Sequence, residues 1–244
     1  MRTCALAMFV KTPSLSPIKT RLADSIGKAD AEEFYSLSVM ALKSSVASLE
    51  SKNPNITPFF AVTESEGLRH PLWQGWQTLY QGDGDLGTKL SKIYNELIAK
   101  FDTVLIIGSD SPQIGASDLE DAFEALYGGD DSSEPILVVG PARDGGFYLV
   151  GSSARLPGTL WSKVRYSTEN AGKDLIDAGL KLGEVITLPE ETDVDTVQDL
   201  RTLAAIFPER SEASTAHKAL QEWLTLKSEP NQVSILRCYP GLAK

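Results

Sequence analysis

Residues 103–112 have the sequence TVLIIGSDSP, in which a short apolar run ends at a glycine and an aspartate. Nearly continuous apolar runs of this length are typical of the buried strands of a parallel sheet. Three further runs of the same character lie at 4–10, 56–62 and 136–139, and two weaker ones lie at 146–151 and 185–188. Each run is a predicted strand, and Asp110 follows one of them.

Segments with a helical pattern separate the predicted strands, at 29–50, 86–100, 117–126, 168–180 and 196–207. The alternation of strands and helices predicts an α/β fold with a mainly parallel central sheet and helices on both of its faces. Ligands of such sheets bind outside the carboxyl ends of the strands, so the residues that follow each strand are the candidate functional residues.

Composition and charge narrow the class of protein. The 244 residues are 42% hydrophobic and carry 33 acidic against 23 basic side chains, a net charge of −10. This composition predicts a globular fold, and the acidic field argues against binding to nucleic acid or to an anionic membrane. Two cysteines make no disulfide framework, and no apolar stretch approaches the ~20 residues of a membrane span. We therefore expect a cytoplasmic protein without a transmembrane segment.

The C-terminal region differs in pattern from the rest of the chain. A polar stretch at 207–214 is the candidate boundary between a main domain at 1–207 and an appendage at 208–244. The appendage contains a predicted short helix at 216–226 and ends in a strand-like segment at 233–239. That apolar end is a candidate for pairing across a homodimer.

A basic loop follows the first predicted strand. Residues 1–28 hold five basic side chains and one acidic side chain, although the whole chain is acidic. Ser16 or Thr20 is the predicted N-cap of the helix that follows. Cations beside a helix start favour an anion site, most naturally for a polyphosphate, whereas the alternative is a solvated loop without a ligand. The candidate phosphate-binding residues are Lys11, Lys19, Thr20 and Arg21.

A glycine-rich loop at 81–89, QGDGDLGTK, has the G-x-G-x-x-G spacing of dinucleotide-binding loops. We reject that interpretation because the preceding Leu79 and Tyr80 form a poor strand, and because nearby aspartates would repel phosphates. Two alternatives stay open: a glycine turn with Asp85 as the N-cap of the next helix, or a loop that contacts the substrate. The candidate binding residues of this loop are Gly82, Gly84, Asp85 and Gly87.

Two acidic segments are candidates for metal binding. Asp110 follows a buried strand, where a carboxylate can hold Mg²⁺ or Mn²⁺, although an aspartate that caps a turn would fit the same position. Residues 182–199 hold six acidic side chains and no basic one, among them Asp193 and Asp195. Asp195 is also a predicted helix N-cap, with Gln198 three residues further on.

The pair Asp144–Gly145 lies between two apolar runs and predicts a β-hairpin. The hairpin is either a plain turn or a turn that also contacts the substrate. Glycine at position 146 would let a ligand approach the backbone closely. The candidate substrate-binding residues are Arg143, Asp144, Gly145 and Gly146.

Taken in chain order, five motifs resemble one family. They are KTP…IKTRL from residue 11, QGDGDLG from residue 81, IGSDSP from residue 107, GPARDGGFY from residue 140 and DVDT…DL from residue 193. The set resembles the bacterial domain of unknown function that is labelled a GT-A-type glycosyltransferase. The first and last motifs also resemble those of sugar and phospholactate nucleotidyltransferases, which share the fold.

The resemblance implies a Rossmann-like GT-A fold, the three-layer sandwich of the nucleotide-diphospho-sugar transferases, with residues 1–207 as its nucleotide-binding transferase domain. It implies a metal-dependent glycosyltransferase or nucleotidyltransferase that acts on a nucleoside triphosphate or a nucleotide-sugar and a small acceptor. The alternative is a non-catalytic, nucleotide-binding regulatory protein on the same fold.

The resemblance also implies roles for individual residues. The implied phosphate ligands are Lys11, Lys19 and Arg21. The implied ligands of Mg²⁺ or Mn²⁺ are Asp110, Asp195 and, as an extra ligand, Asp193. The candidate catalytic residues are Lys19, Arg21 and Asp110. Asp110 stands in Ser-Asp-Ser rather than in the Asp-x-Asp of many GT-A glycosyltransferases, and this departure together with the Lys-x-Arg loop favours nucleotidyl transfer.

Overall fold

A computed structural model describes residues 2–127, 135–210 and 213–228. Seven strands form one central sheet: β1 (Cys4–Val10), β2 (Ile56–Val62), β3 (Gln77–Tyr80), β4 (Thr103–Ile107), β5 (Ile136–Pro141), β6 (Phe147–Ser152) and β7 (Glu184–Thr187). Their order across the sheet is β3-β2-β1-β4-β6-β5-β7. β6 runs antiparallel to both of its neighbours, and the other pairs are parallel.

The helices are α1 (Thr20–Ile26), α2 (Lys28–Lys52), α3 (Leu86–Ile98), α4 (Ala116–Tyr127), α5 (Gly158–Ser162), α6 (Ala171–Gly179), α7 (Val197–Arg210) and α8 (Thr215–Ser228). Two 3₁₀ turns, Ser65–Arg69 and Pro71–Trp73, lie between β2 and β3. The predicted α/β fold with a mainly parallel sheet is confirmed. Within the described ranges, every helix is too short or too polar to cross a membrane.

The sheet is covered by helices on both faces because its central strands are apolar on both sides. In β1, Leu6 and Met8 pack into the cluster that includes α2 and α4, whereas Ala5 and Ala7 pack into the cluster that includes α3, α5 and α6. These two clusters fill the spaces between the three layers. The layers explain why β1 is recognisable from its sequence as one unbroken apolar run.

One strand was not predicted. β3 lies at the edge of the sheet, pairs with β2 in parallel, and has no fully buried residue. The interpretation of Leu79 and Tyr80 as a poor strand was therefore wrong. An edge strand buries little side-chain surface and carries a weak apolar signal, so its pairing partner rather than its own composition defines it.

The hairpin predicted at Asp144–Gly145 is confirmed, since it connects the antiparallel strands β5 and β6. Gly145 has a φ of 87°. A Cβ atom at this position would lie 2.1 Å from the backbone oxygen of Glu169. Glycine is therefore required both by the backbone conformation and by the segment that packs against the turn.

Helix α8 packs against the main body of the protein. Leu220, Trp223 and Leu224 join a third cluster that includes residues of α1, α2 and α7. The rings of Trp223 and Phe34 lie 5.6 Å apart, and the indole nitrogen of Trp223 donates to Glu33 at 2.9 Å. The boundary expected at residue 207 falls inside α7, and the division into a domain and an appendage stays a prediction. The strand-like segment at 233–239 lies outside the described residues.

We expect Trp223→Ala to destabilise the protein by about 3 kcal/mol or more, because it leaves a cavity in the third cluster. Trp223 is only 7% exposed, whereas Leu226 on the same helix is 58% exposed. Leu226→Ala is therefore the matched control, with an expected change within about 0.5 kcal/mol. Urea unfolding followed by circular dichroism measures both. Equal unfolding midpoints for the two variants would contradict the packing of α8.

Candidate active site

The carboxyl ends of β1, β2 and β4 lie at one edge of the sheet because the three strands are parallel neighbours. A cavity of about 820 Å³ opens at this edge. Its wall includes Lys11, Thr63 and Asp110, which follow these three strands. The expectation that the functional residues follow the parallel strands therefore agrees with the position of the cavity.

Lys19 connects two acidic segments inside the cavity. Its Nζ lies 2.5 Å from Oδ1 of Asp110 and 3.0 Å from Oδ1 of Asp195. The side chain of Lys19 is 3% exposed, whereas those of Asp110 and Asp195 are 44% and 41% exposed. The ammonium is thus buried beneath two carboxylates that still face the cavity.

The charge of Lys19 is held by its two partners. Burial by itself lowers the pKa of the Lys19 ammonium, but the carboxylates of Asp110 and Asp195 more than offset this effect. The pKa of Lys19 is therefore raised above its usual value, and the side chain is charged at neutral pH.

Lys19 reaches this position through an unusual backbone conformation. It is the N-cap residue of α1 and has φ 45° and ψ 48°, in the left-handed region. Outside glycine this conformation costs roughly 1–2 kcal/mol, so it persists only where the surroundings stabilise it. The predicted caps Ser16 and Thr20 were wrong, since Lys19 is the N-cap and Thr20 is the first helical residue. No side chain caps this helix start, which is fully within the described residues.

Asp195 is free to bind Lys19 because its neighbour caps the helix. The Thr196 backbone N–H and hydroxyl donate to Oδ2 of Asp199 at 2.8 and 2.7 Å, and the Asp199 N–H points back to the Thr196 hydroxyl at 3.3 Å. This is a capping box with aspartate in place of glutamate. The predicted cap at Asp195 with Gln198 was wrong by one residue.

A backbone hydrogen bond joins the two acidic segments. The N–H of Val194 donates to the carbonyl of Asp110 at 2.9 Å. Val194 is fully buried in the third cluster, so its neighbours on either side are held at a fixed place. This bond brings Asp193 and Asp195 to the end of β4.

Asp193 differs from the other two aspartates in its environment. Its Oδ1 accepts a hydrogen bond from the hydroxyl of Ser111. Burial and the negative charge of Asp110 raise the pKa of Asp193 to about 7, although the Ser111 bond and Lys19 act in the opposite direction. Asp193 therefore keeps its proton to a higher pH than an exposed aspartate does.

The donor atoms at this site fit a hard cation only in part. Among the described residues, no group of three or more His, Cys, Asp or Glu side chains is placed to hold a metal ion by itself. Asp110 and Asp195 present oxygen atoms to one common point, where Nζ of Lys19 now lies. Mg²⁺ is commonly held by one or two carboxylates plus substrate phosphates. The pair fits Mg²⁺ or Mn²⁺ provided that a phosphorylated ligand supplies further oxygens.

The remaining residues of the basic loop border the same cavity. Lys11, Thr20 and Arg21 are exposed, and all three line its wall. The backbone of Lys11 is fixed by the hydroxyl of Tyr35, which accepts from its N–H at 2.8 Å and donates to its carbonyl at 3.0 Å. The structure thus brings the predicted cations and the predicted carboxylates to one rim.

In the glycine-rich loop, the residues that line the cavity are sequence neighbours of the predicted contacts and not the predicted contacts themselves. The side chain of Asp85 accepts from the N–H of Thr88 at 2.8 Å, which confirms the alternative of an N-cap of α3. Gln81, Leu86 and Lys89 line the cavity. The predicted contacts lie outside its wall as the structure describes it, namely Gly82, Gly84, Asp85 and Gly87.

Of the four predicted substrate contacts in the hairpin, two line the cavity and two do not. Asp144 and Gly146 line the cavity, and Oδ1 of Asp144 accepts from the N–H of Gly146 at 2.8 Å. Arg143 and Gly145 lie outside the described wall, and the N–H of Arg143 donates to the carbonyl of Glu191 at 2.9 Å.

Lys89 and Tyr166 are among the wall residues that were not predicted as site candidates. Lys89 lies in the glycine-rich motif, so the motif held a signal for it. Tyr166 lies between α5 and α6, where the sequence shows no motif. Its ring packs against Gly87, and its buried hydroxyl has no hydrogen-bond partner in the described part of the chain.

The fold and the cavity at the carboxyl edge define an α/β protein with the nucleotide-diphospho-sugar transferase fold. Residues 52–168 match a family model described as "Uncharacterized protein conserved in bacteria (DUF2064)". The match contains three of the five motifs, those that begin at residues 81, 107 and 140, and it supports the resemblance there, whereas the first and last motifs lie outside it. No curated protein matches the chain.

Solved structures show the same fold. A proposed nucleotide-diphospho-sugar transferase from Desulfovibrio desulfuricans G20 is 23% identical, with a TM-score of 0.78 over 93% of this chain and 98% of that chain. A cytidylyltransferase from Leptospira borgpetersenii is 14% identical, with a TM-score of 0.54 over 100% of both chains. The 4-diphosphocytidyl-2C-methyl-D-erythritolsynthase of Anaerococcus prevotii DSM 20548 is 10% identical, with a TM-score of 0.54 over 85% of this chain and 99% of that chain.

We expect Asp193→Asn to stabilise the metal-free protein at pH 8 and to have little effect near pH 4. The folded-state pKa of about 7 exceeds the unfolded value of 3.8, so the folded protein binds this proton more tightly and wild-type stability falls as pH rises between the two values. Asparagine removes that loss, which is at most about 4 kcal/mol.

Urea unfolding of both proteins at pH 4, 6 and 8 with a chelator measures this effect. Glu190→Gln is the control, because Glu190 is an exposed carboxylate in the same acidic segment. A gain from Asp193→Asn that is the same at all three pH values would show that the titration of Asp193 is not its cause.

We expect Gly87→Ala to destabilise the protein by about 1–3 kcal/mol through overpacking. A Cβ atom there would lie 2.6 Å from Cε2 of Tyr166 and 3.2 Å from the carbonyl of Trp161. Gly158→Ala is the matched control, since a Cβ at Gly158 meets nothing within 4 Å. Thermal unfolding measures both variants, and equal melting temperatures would contradict the packing of Tyr166 on α3.

Proposed function

We propose that this protein is a divalent-metal-dependent nucleotidyltransferase, which binds a nucleoside triphosphate in the cavity and transfers its nucleotidyl group to a small phosphorylated acceptor. The observation that carries the proposal is the meeting of Lys19 with Asp110 and Asp195 at the carboxyl edge of the sheet. The fold, shared with solved cytidylyltransferases, supports it.

The proposed division of roles follows from charge. Lys11 and Arg21 are exposed at the cavity wall, where they can bind phosphate oxygens without first breaking a described ion pair. Asp110 and Asp195 would hold the cation together with phosphate oxygens. When bound, Mg²⁺ or Mn²⁺ neutralises the charge on those oxygens and orients them.

The reaction proposed is a displacement at phosphorus. An acceptor oxygen forms a bond to the α-phosphorus, and the bond from that phosphorus to pyrophosphate breaks. Lys19 and Arg21 stabilise the charge that grows on the departing pyrophosphate, which is an electrostatic contribution to catalysis. Asp144 and Gly146, which also line the cavity, are the proposed contacts for the acceptor.

The surroundings of Asp110 favour nucleotidyl over glycosyl transfer. Ser109 and Ser111 flank Asp110 and are buried, and Ser111 is bound to Asp193. The second carboxylate of the site comes instead from Asp195, far along the chain. This pairing differs from the Asp-x-Asp of many GT-A glycosyltransferases, in which one short segment supplies both acids.

The first test is a thermal-shift panel of nucleoside triphosphates and nucleotide-sugars, with and without Mg²⁺ or Mn²⁺. A ligand in large excess over its Kd stabilises the folded state by roughly 3–4 kcal/mol. We expect a metal-dependent shift with a triphosphate in the wild type and its loss in Asp110→Asn, whereas the control Glu190→Gln responds as the wild type does. An Asp110→Asn protein that responds to every ligand like the wild type would end the metal assignment.

The second test measures products. With sugar phosphates or phosphoacids as acceptors, release of pyrophosphate from the triphosphate supports nucleotidyl transfer. Release of a nucleoside diphosphate from a nucleotide-sugar would instead identify a glycosyltransferase. Tight metal-dependent binding without turnover on either panel would favour the non-catalytic regulator.

A further inference from the structure

The Lys19 ammonium lies at the point to which Asp110 and Asp195 direct their Oδ1 atoms. Both contacts are short, and the ammonium is almost completely buried. The two carboxylates remain partly exposed to the cavity. A cation is therefore already bound between the proposed metal ligands, and it belongs to the chain itself.

A divalent cation cannot use the same two oxygens while Lys19 stays in place. An ammonium and a divalent ion a few ångströms apart repel each other strongly where water is scarce. Among the described residues there is also no group of three acidic, histidine or cysteine side chains placed to hold a metal ion by itself. Metal binding in the absence of a phosphate ligand thus meets a competing charge and an incomplete set of donors.

We propose that Lys19 is an internal competitor for the divalent cation: it holds Asp110 and Asp195 in the empty protein and leaves them when nucleotide phosphates and metal bind together. This inference rests on the proposed function. The lysine stem has four flexible carbons, and Lys19 borders the cavity, so its ammonium can turn from the carboxylates to phosphate oxygens. The result is an order of binding in which the phosphates recruit the metal.

The left-handed backbone of Lys19 is part of the same arrangement. Without a cation, the carboxylates of Asp110 and Asp195 would face each other across a small gap, with Asp193 close by. A built-in ammonium prevents this repulsion until the ligand arrives. The strained backbone at Lys19 places the ammonium where the two carboxylates meet.

The test is a titration of the metal-free protein with Mn²⁺. The electron paramagnetic resonance signal of free Mn²⁺ measures how much of the ion is bound. We expect weak binding by the wild type and binding at least about tenfold tighter by Lys19→Met, because the competing charge is gone. Lys19→Arg keeps the charge and should bind no tighter than the wild type. Lys89→Met removes a different cation of the cavity and should change the Kd by less than about threefold.

A second measurement uses the wild type and is independent of the folding of any variant. Acetic anhydride labelling with mass spectrometry reports how accessible the Lys19 amine is. Saturation with Mn²⁺ should raise labelling of Lys19 several-fold and leave unchanged the labelling of Lys28, which is exposed and lies outside the described wall of the cavity. Unchanged labelling of Lys19 at full Mn²⁺ occupancy would overturn the proposal.

The outcomes separate this inference from the function on which it rests. If wild type and Lys19→Met bind Mn²⁺ equally well, the competition is wrong while the metal site stands. If Lys19→Met does not bind Mn²⁺, and the wild type does not bind it even with a nucleoside triphosphate, then the proposed metal site fails and the competition fails with it.

Discussion

The burial of one positive charge is the constraint on which the site depends. The Lys19 ammonium is almost inaccessible to water, and a buried cation without partners would be strongly unfavourable. Its two partners come from the end of β4 and from the segment before α7. The chain must therefore bring three distant segments together before this charge is compensated, and the same convergence creates the cavity.

The scaffold achieves this convergence through the backbone as well as through side chains. The bond from Val194 to the Asp110 carbonyl fixes the acidic segment, and the Thr196–Asp199 capping box ends it. Val194 is buried in the cluster to which Trp223 of α8 also belongs. Helix α8 lies outside the sheet, yet it covers the cluster that anchors Asp195.

The sequence was informative where one physical signal dominated. Continuous apolar runs predicted β1, β2 and β4 to the residue, because both faces of these strands are buried. β3 was missed because an edge strand carries little apolar signal. The helix cap was misplaced because Asp195 and Thr196 are both good capping residues, and only the reciprocal bond with Asp199 distinguishes them. Sequence order also predicted which edge holds the charges, but the pairing of Lys19 with two acids depends on atomic positions that no spacing encodes.

The balance of charge at the site bears on the role of a cation. Lys19, Asp110 and Asp195 together carry one net negative charge. Such a centre repels a polyphosphate, although exposed cations surround it. A divalent cation that takes the place of Lys19 would cancel the charge of the two carboxylates. Under the proposed function the acidic centre and the basic rim are thus complementary. The rim attracts the phosphates, and the phosphate oxygens and the carboxylates then bind the divalent cation together, because neither group of donors holds it well alone.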